Sequence, residues 1–213
     1  MTTFADIFLK NMKLIAVTTP HFFVEEDKII TELFEEGLDI LHLRKPDTAA
    51  VYSERLLKLI PEKYHKKIVT HEYFYTKEEF NLMGIHLNSR NSIEPESYEG
   101  HISCSCHSIE EVKQKKELYD YVFMSPIFDS VSKVGYQSKY TPEDLRSAAK
   151  DGIIDKNVIA LGGITADNIL QVKDFGFGGA ALLGDLWGKF DCRNDQDYLG
   201  IIRHFRKLKE IAD

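Results

Sequence analysis

The chain has 213 residues, 43% of them apolar, which is enough for one sizeable hydrophobic core and too few for two domains. The net charge of −7, without a basic face, speaks against nucleic-acid binding. No apolar run reaches the roughly 18 residues of a membrane span. The three cysteines lack zinc-site spacing, so we expect free thiols and a cytoplasmic protein.

The first half of the chain alternates short apolar runs with amphipathic helical patterns. Residues 1–12 lack a signal-peptide pattern and are predicted to form a short arm before a single domain over 13–213, with Met12 as an alternative start. The predicted strands here are Leu14–Val17, Leu38–Lys45, Lys67–His71 and Gly84–Asn88. The predicted helices are Glu25–Glu36, Thr48–Ile60, with Val51 among its inward residues, and Thr76–Met83.

The second predicted strand carries polar side chains on its inner face. Leu41 and Leu43 share one face by the alternation of a strand, so His42 and Arg44 share the other. Burying such groups costs several kcal/mol unless something pairs with them. This pattern indicates an anionic ligand.

The second half repeats the alternation of strands and helices. Its predicted strands are His101–Cys106, Tyr121–Pro126, Val158–Leu161 and Gly179–Gly184. Its predicted helices are Ile109–Leu118 with a capping box at Ser108, one that begins at Thr141-Pro142, and Asp195–Ile211. The longest irregular stretch is 127–139, and its Ser130–Lys133 loop is predicted to be a mobile lid. Cys104 and Cys106 are predicted to be buried core thiols.

Eight such alternations with few hairpin signals predict a parallel α/β fold. The last two predicted strands end in Gly162-Gly163 and in Gly184, a pattern of strand, glycine and helix start that favours phosphate binding by backbone N–H groups. We therefore predict a single (β/α)8 TIM barrel with a phosphate site after strands seven and eight. A doubly wound open sheet is the alternative fold. The alternative interpretation of Gly162-Gly163 and Gly184 is that these glycines only end strands and bind no phosphate.

The motifs that follow the predicted strands resemble those of the thiamin phosphate synthase family, which includes the related thiazole tautomerase. The family's Gln-x-Arg-x-Lys pattern in strand two corresponds to 42–46, where Arg44 matches but His42 and Pro46 do not. Its Ser-x-His in strand five is kept at 105–107, and its Gly-Gly-Ile is kept at 162–164. Its Gly-Pro-x-Phe/Tyr-x-Thr-x-Thr-Lys loop corresponds to 125–133, and its usual serine after strand eight is replaced by Gly184.

The family's metal ligands are the clearest departure. Its synthases hold Mg²⁺ through an acid after strand three and another after strand four. Our alignment places Thr70-His71 at the first site and Asn91 at the second, so neither acid is present. Because Mg²⁺ prefers hard oxygen ligands, we predict no protein-held metal and expect any Mg²⁺ to arrive with pyrophosphate.

The resemblance implies that the protein joins hydroxymethylpyrimidine pyrophosphate to thiazole phosphate and releases pyrophosphate. Such a step needs positive charge and hydrogen-bond donors where charge develops on the leaving group. The catalytic residues that it implies are Arg44, Ser105 and Lys133. The substrate- and phosphate-binding residues that it implies are His42, Lys45, Thr70, His71, His86, Ser130, Ser132, Gly162, Gly163, Gly184 and Asp185.

Three functional hypotheses stay open. The first is a synthase with an altered metal site, the second an isomerase similar to the tautomerase, and the third a silent phosphate-binding or regulatory relative. The tautomerase's histidine falls at Pro126, which speaks against the second. Arg44 could instead pair with a structural carboxylate, Lys133 could be a surface lysine, and His86 a core histidine. The expected partners are small phosphorylated molecules, and a homo-oligomer is left open.

Overall fold

The computed structural model describes residues 12–129, 138–189 and 198–213, which form a closed barrel of eight parallel strands. Each strand pairs with the next along the chain, and the last pairs with the first. The strands are β1 (Lys13–Val17), β2 (Ile40–Leu43), β3 (Ile68–Thr70), β4 (Gly84–Leu87), β5 (His101–Cys106), β6 (Tyr121–Met124), β7 (Val158–Leu161) and β8 (Gly179–Leu182). The predicted (β/α)8 barrel is confirmed, and the alternative of an open sheet is wrong.

Helices cover the outside of the barrel. They are α1 (Glu26–Glu35), α2 (Ala50–Leu59), α3 (Thr76–Glu79), α4 (Ile109–Lys115), α5 (Pro142–Lys150), α6 (Ile169–Asp174), α7 (Gly184–Trp187) and α8 (Tyr198–Ala212), with a 3₁₀ turn at Glu62–Lys67. No helix in the described ranges combines the length and apolar character needed to cross a membrane.

The predicted elements agree with these bounds to within a few residues, with some differences. The third helix is only α3, much shorter than predicted, and Val51 of α2 is 42% exposed rather than inward. Ser108 caps α4 by accepting from the Glu111 N–H, but Glu111 itself accepts from the His107 N–H, so the predicted box is only half formed. The predicted arm apart from Met12, the predicted lid Ser130–Lys133 and the start of the predicted last helix lie outside the described residues.

Two apolar clusters hold the barrel together. The larger lies between strands and helices and includes the predicted stripe of α8, while Cys104 and Cys106 are buried in it as free thiols. The smaller cluster fills the barrel interior with Ile15, Val17, Ile40, Val69, Tyr121, Phe123, Ile159 and Ala181. Barrel interiors are normally filled by branched apolar side chains. Here His42, His86 and Ser103 are also fully buried, so the interior is partly polar.

A buried ion pair ties the first residue of α1 to the segment that follows β2. The Lys45 ammonium lies 2.5 Å from the Glu26 carboxylate, and neither side chain is more than 1% exposed. Lys45 also donates to the His21 carbonyl oxygen at 2.8 Å. Burial raises the pKa of Glu26 to about 7, and burial lowers the pKa of Lys45. The charge of Lys45, predicted to contact substrate, is therefore already matched by a structural carboxylate.

We expect Lys45→Met to lower the free energy of unfolding by about 3–5 kcal/mol, because it leaves the Glu26 carboxylate buried without its partner. Adding Glu26→Leu should bring stability back to within about 2 kcal/mol of the parent, since the buried charge is then gone as well. Urea denaturation measures both. Lys28→Met is the matched control, because it breaks an exposed pair with Glu25 in the same region and should change stability by less than about 1 kcal/mol. A Lys45→Met variant as stable as this control would contradict the assignment.

Candidate functional site at the carboxyl ends of the strands

All eight strands are parallel, so the loops after them meet at one rim of the barrel. Arg44 follows β2 directly, and His71 follows β3 directly. Ser105 is the second-to-last residue of β5. Gly162-Gly163 follow β7, and Gly184 follows β8. The structure therefore brings these predicted site residues to a common rim.

The corner after β7 has a backbone that needs glycine. Gly162 has φ 99° and Gly163 has φ 67°, values that side chains rarely adopt. A Cβ on Gly163 would also lie 2.4 Å from the Asp129 carbonyl oxygen, which leaves no room for a side chain. Among the described residues, no hydrogen bond occupies the N–H of Gly163 or of Gly184. The two groups are thus available at neighbouring loops for an anion.

The loop after β6 begins against this corner. The Ile127 and Phe128 N–H groups donate to the carbonyl oxygens of Leu161 and Gly162, at 3.0 and 3.1 Å. The Ser138 N–H donates to the Asp129 carboxylate at 2.7 Å, so the two ends of the segment between them are joined. Ser130, Ser132 and Lys133 lie outside the described residues, and their predicted roles stay predictions.

An acid and two arginines form a charged group at the rim. Glu72 accepts a hydrogen bond from the Lys45 N–H at 2.8 Å, and its other oxygen lies 3.9 Å from the Arg90 guanidinium. That second oxygen, Oε1, is buried without a hydrogen-bond partner in the described structure. Burial raises the pKa of Glu72, while the Lys45 N–H, Arg44 and Arg90 oppose the shift.

The two guanidinium groups lie close enough to affect each other. Burial lowers the pKa of Arg44, and the nearby charge of Arg90 adds to that effect. The carboxylates of Glu72 and Asp47 oppose that shift, so two guanidinium groups and two carboxylates lie together beside a partly buried surface. Such an arrangement suits a phosphate or pyrophosphate, whose oxygens match the planar fork of an arginine.

Three histidines predicted as site residues lie in the barrel interior beneath this rim. His42 Nδ1 and His71 Nε2 are 2.8 Å apart, and His42 Nε2 lies 2.6 Å from the Tyr121 hydroxyl. His86 stacks on His71 with ring centroids 4.2 Å apart. Its Nδ1 lies 2.8 Å from the Ser103 hydroxyl, and its Nε2 lies 2.8 Å from the Ser105 hydroxyl.

These imidazoles are held neutral. Burial lowers the pKa of His42 and of His71 well below the ordinary value, and the neighbouring histidines add to the effect. Burial likewise lowers the pKa of His86 to about 3, with help from His101 and Arg44. His71 therefore does not carry the positive charge that could meet a leaving group near neutral pH.

Three other predicted residues have side chains that are hydrogen-bonded within the protein. Asp185 of α7 lies 2.5 Å from His204 of α8, and its side chain is only 9% exposed. Thr70 is buried and donates to the Glu72 carbonyl oxygen at 2.6 Å. The Asn91 amide donates to the His71 carbonyl oxygen at 2.9 Å, so it braces the loop after β3.

Glu72, Arg90 and Tyr121 were not predicted from the sequence to be site residues. Glu72 stands one residue after His71, so a shift of one position in the alignment would have placed an acid after strand three. Arg90 precedes Asn91 in the loop after β4 and had no pattern of its own to mark it. Tyr121 looked like an ordinary strand residue, because its partners lie on other strands.

Comparisons with known proteins agree with this geometry. Residues 14–186 match the family described as thiamine monophosphate synthase. A thiamine-phosphate synthase of Halalkalibacterium halodurans is 25% identical over 94% of this chain and 99% of its own length. A crystal structure of thiamine phosphate pyrophosphorylase from Bacteroides thetaiotaomicron is 70% identical over 95% of this chain and 98% of that one, with a TM-score of 0.89. The Pyrococcus furiosus protein of that name shares the fold at 19% identity and a TM-score of 0.73, covering 95% of this chain and 96% of that one. The chain belongs to the thiamine monophosphate synthase family.

Proposed function

We propose that the protein is an active thiamin phosphate synthase, which joins hydroxymethylpyrimidine pyrophosphate to thiazole phosphate and releases pyrophosphate. The observation that carries the proposal is the presence of two anion-binding places at one rim. The glycine corner after β7 and β8 suits the single phosphate of the thiazole. The arginine group after β2 and β4 suits the pyrophosphate.

The proposed roles follow from these positions. Arg44 and Arg90 meet the charge that grows on pyrophosphate as the bond to the pyrimidine breaks. Ser105 can donate a hydrogen bond to the same group, and Lys133 stays a proposed helper. The rim of the barrel orients the two substrate rings relative to each other. Such orientation contributes much of the rate increase expected for a bimolecular reaction.

Mg²⁺ fits this site only in part. Glu72 Oε1 is a buried carboxylate oxygen without a hydrogen-bond partner among the described residues, and a hard cation favours such an oxygen. Asn91 offers an amide where the family has its second acid, so one protein charge is present instead of two. We infer that Glu72 would hold Mg²⁺ that arrives with pyrophosphate, where the ion would neutralise phosphate charge. This proposal differs from the expectation from the sequence that the protein itself holds no metal.

The direct test is to incubate the purified protein with both substrates and measure thiamin phosphate, with and without Mg²⁺. We expect Arg44→Met and Arg90→Met each to lower kcat by about 100-fold, because each removes a cation aimed at developing charge. Arg55→Met on the exposed face of α2 is the matched control and should leave kcat unchanged. Binding of both substrates without turnover by the parent protein would favour the silent relative instead.

Glu72→Gln tests the metal role separately. We expect it to raise the Mg²⁺ concentration for half-maximal turnover about tenfold, because a neutral amide holds a hard cation less well than a carboxylate. Glu78→Gln, which changes an exposed acid of α3, is the control for the loss of one negative charge. An unchanged Mg²⁺ dependence in the Glu72 variant would remove Glu72 from the metal site.

The glycine corner is tested with different ligands and not with a variant, because a side chain at Gly163 would displace the neighbouring backbone. We expect thiazole phosphate to bind at least about 100-fold more tightly than the corresponding thiazole alcohol, because two charge-assisted hydrogen bonds are lost with the phosphate. Isothermal titration measures both affinities. Equal affinities would show that the corner does not bind the phosphate.

A further inference from the structure

The hydroxyl of Thr18 is bound twice to the backbone of Arg44. Thr18 follows β1 directly and is fully buried. Its Oγ1 accepts a hydrogen bond from the Arg44 N–H at 2.9 Å and donates one to the Arg44 carbonyl oxygen at 3.0 Å. A hydroxyl has one proton and two lone pairs, so it can do both at once. One side chain therefore satisfies both backbone polar groups of Arg44.

This contact replaces the last step of the ladder between β1 and β2. Val17 pairs with His42 in register, and the Thr18 N–H donates to the His42 carbonyl oxygen at 3.0 Å. In a regular parallel ladder the next donor, the Arg44 N–H, would bind the carbonyl oxygen of Thr18. It binds the Thr18 hydroxyl instead. The side chain thus extends the pairing by one residue beyond the end of β2 at Leu43.

The backbone of Lys45 is also held by side chains. The Lys45 N–H donates to the Glu72 carboxylate at 2.8 Å, and the Thr48 hydroxyl donates to the Lys45 carbonyl oxygen at 2.7 Å. All four backbone polar groups of Arg44 and Lys45 therefore have side-chain partners. Thr18 binds two of the four, so it contributes the largest share to the fixed course of this segment.

The guanidinium of Arg44 depends on this backbone for its position. Among the residues that the structure describes, no hydrogen bond or ion pair holds that group. A change in the two backbone dihedral angles of Arg44 would move its whole side chain, because no such contact holds the far end. A cation that acts on developing charge must lie close to its productive position before the reaction. The contact with Thr18 therefore determines where the guanidinium lies before a ligand binds.

We propose that Thr18 is a positioning residue, whose hydroxyl holds the backbone of Arg44 so that the guanidinium meets the pyrophosphate group. This inference rests on the proposed function, which gives Arg44 that ligand. Thr18 acts through Arg44, because it is fully buried and its one hydroxyl proton is used in the contact. The branched side chain of a threonine also restricts rotation about χ1, which keeps the hydroxyl on the Arg44 backbone.

The first test removes the hydroxyl with little change of shape. Thr18→Val replaces it by a methyl group, whereas Thr18→Ser keeps it. We expect the Arg44 amide hydrogen to exchange at least about tenfold faster in Thr18→Val, because its acceptor is lost, and within about twofold of the parent in Thr18→Ser. The amide of His71, which donates to the Leu43 carbonyl oxygen, should not change and reports on the barrel itself. Hydrogen exchange followed by NMR measures these rates without any turnover.

Binding of inorganic pyrophosphate, measured by isothermal titration without Mg²⁺, tests the consequence for a ligand. We expect Thr18→Val to raise the Kd about fivefold, because Arg44 is no longer held in one position before binding. Arg44→Met should raise it by at least the same factor, and the double variant should bind no more weakly than Arg44→Met alone. Thr31→Val is the matched control, because it removes a hydroxyl that donates to the Asp27 carbonyl oxygen within α1, and it should leave the Kd unchanged.

Kinetics separate positioning from a general loss of structure. Thr18→Val should lower kcat about tenfold and change KM for thiazole phosphate by less than about twofold, because the phosphate of that substrate binds at the glycine corner. Thr18→Ser should restore most of the activity. A parent protein that makes no thiamin phosphate, but shows the expected exchange rates and pyrophosphate affinities, would reject the proposed function alone.

Three results would overturn the inference. One is an Arg44 amide that is as well protected in Thr18→Val as in the parent. Another is an unchanged pyrophosphate Kd in folded Thr18→Val. The third is a double variant whose Kd rises by the product of the two single effects, which would show that Thr18 and Arg44 act independently. If Thr18→Val does not fold, Thr18→Ala is measured in its place and judged by the same three results.

Discussion

The site depends on one constraint, that a polar group inside the barrel must find its partner inside the barrel. Water does not reach His42, His86 or Ser103, so each of them is paired with another side chain. The pairing fixes rings and hydroxyls that would otherwise rotate freely. The rim above is ordered in the same way, because Ser105 is paired with His86 and His71 with His42.

Charge at the rim is organised by the same rule. Lys45 is the most deeply buried cation of the group, and Glu26 matches it within the protein. Arg44 lies near the carboxylates of Glu72 and Asp47 but forms no ion pair with them in the described structure, and Arg90 lies 3.9 Å from Glu72, so both guanidinium groups are left for a ligand. The distinction between a structural cation and a ligand-binding one therefore depends on which carboxylate lies within reach, and adjacent residues in the sequence can differ in this respect.

The fold could be predicted from the sequence because its signals are local. Apolar runs of strand length, helical stripes and the glycines after β7 and β8 each lie within about a dozen residues. The site was only partly predictable, because its contacts join distant strands. His42 meets His71 across 29 residues and Tyr121 across 79, and Lys45 meets Glu26 across 19. Arg44 could be found because strand alternation placed it inward, whereas no pattern in the sequence marked Arg90 or Tyr121.

The pairing of His42 with both Tyr121 and His71 also constrains how this sequence can diverge. Replacement of any one of the three by an apolar residue would leave a buried polar group without its partner, whereas replacement of all three could be tolerated. Substitutions at these positions should therefore be epistatic, with the effect of each depending on the residues at the other two. Relatives would then carry the three polar residues together or lack them together, and intermediate combinations would be selected against.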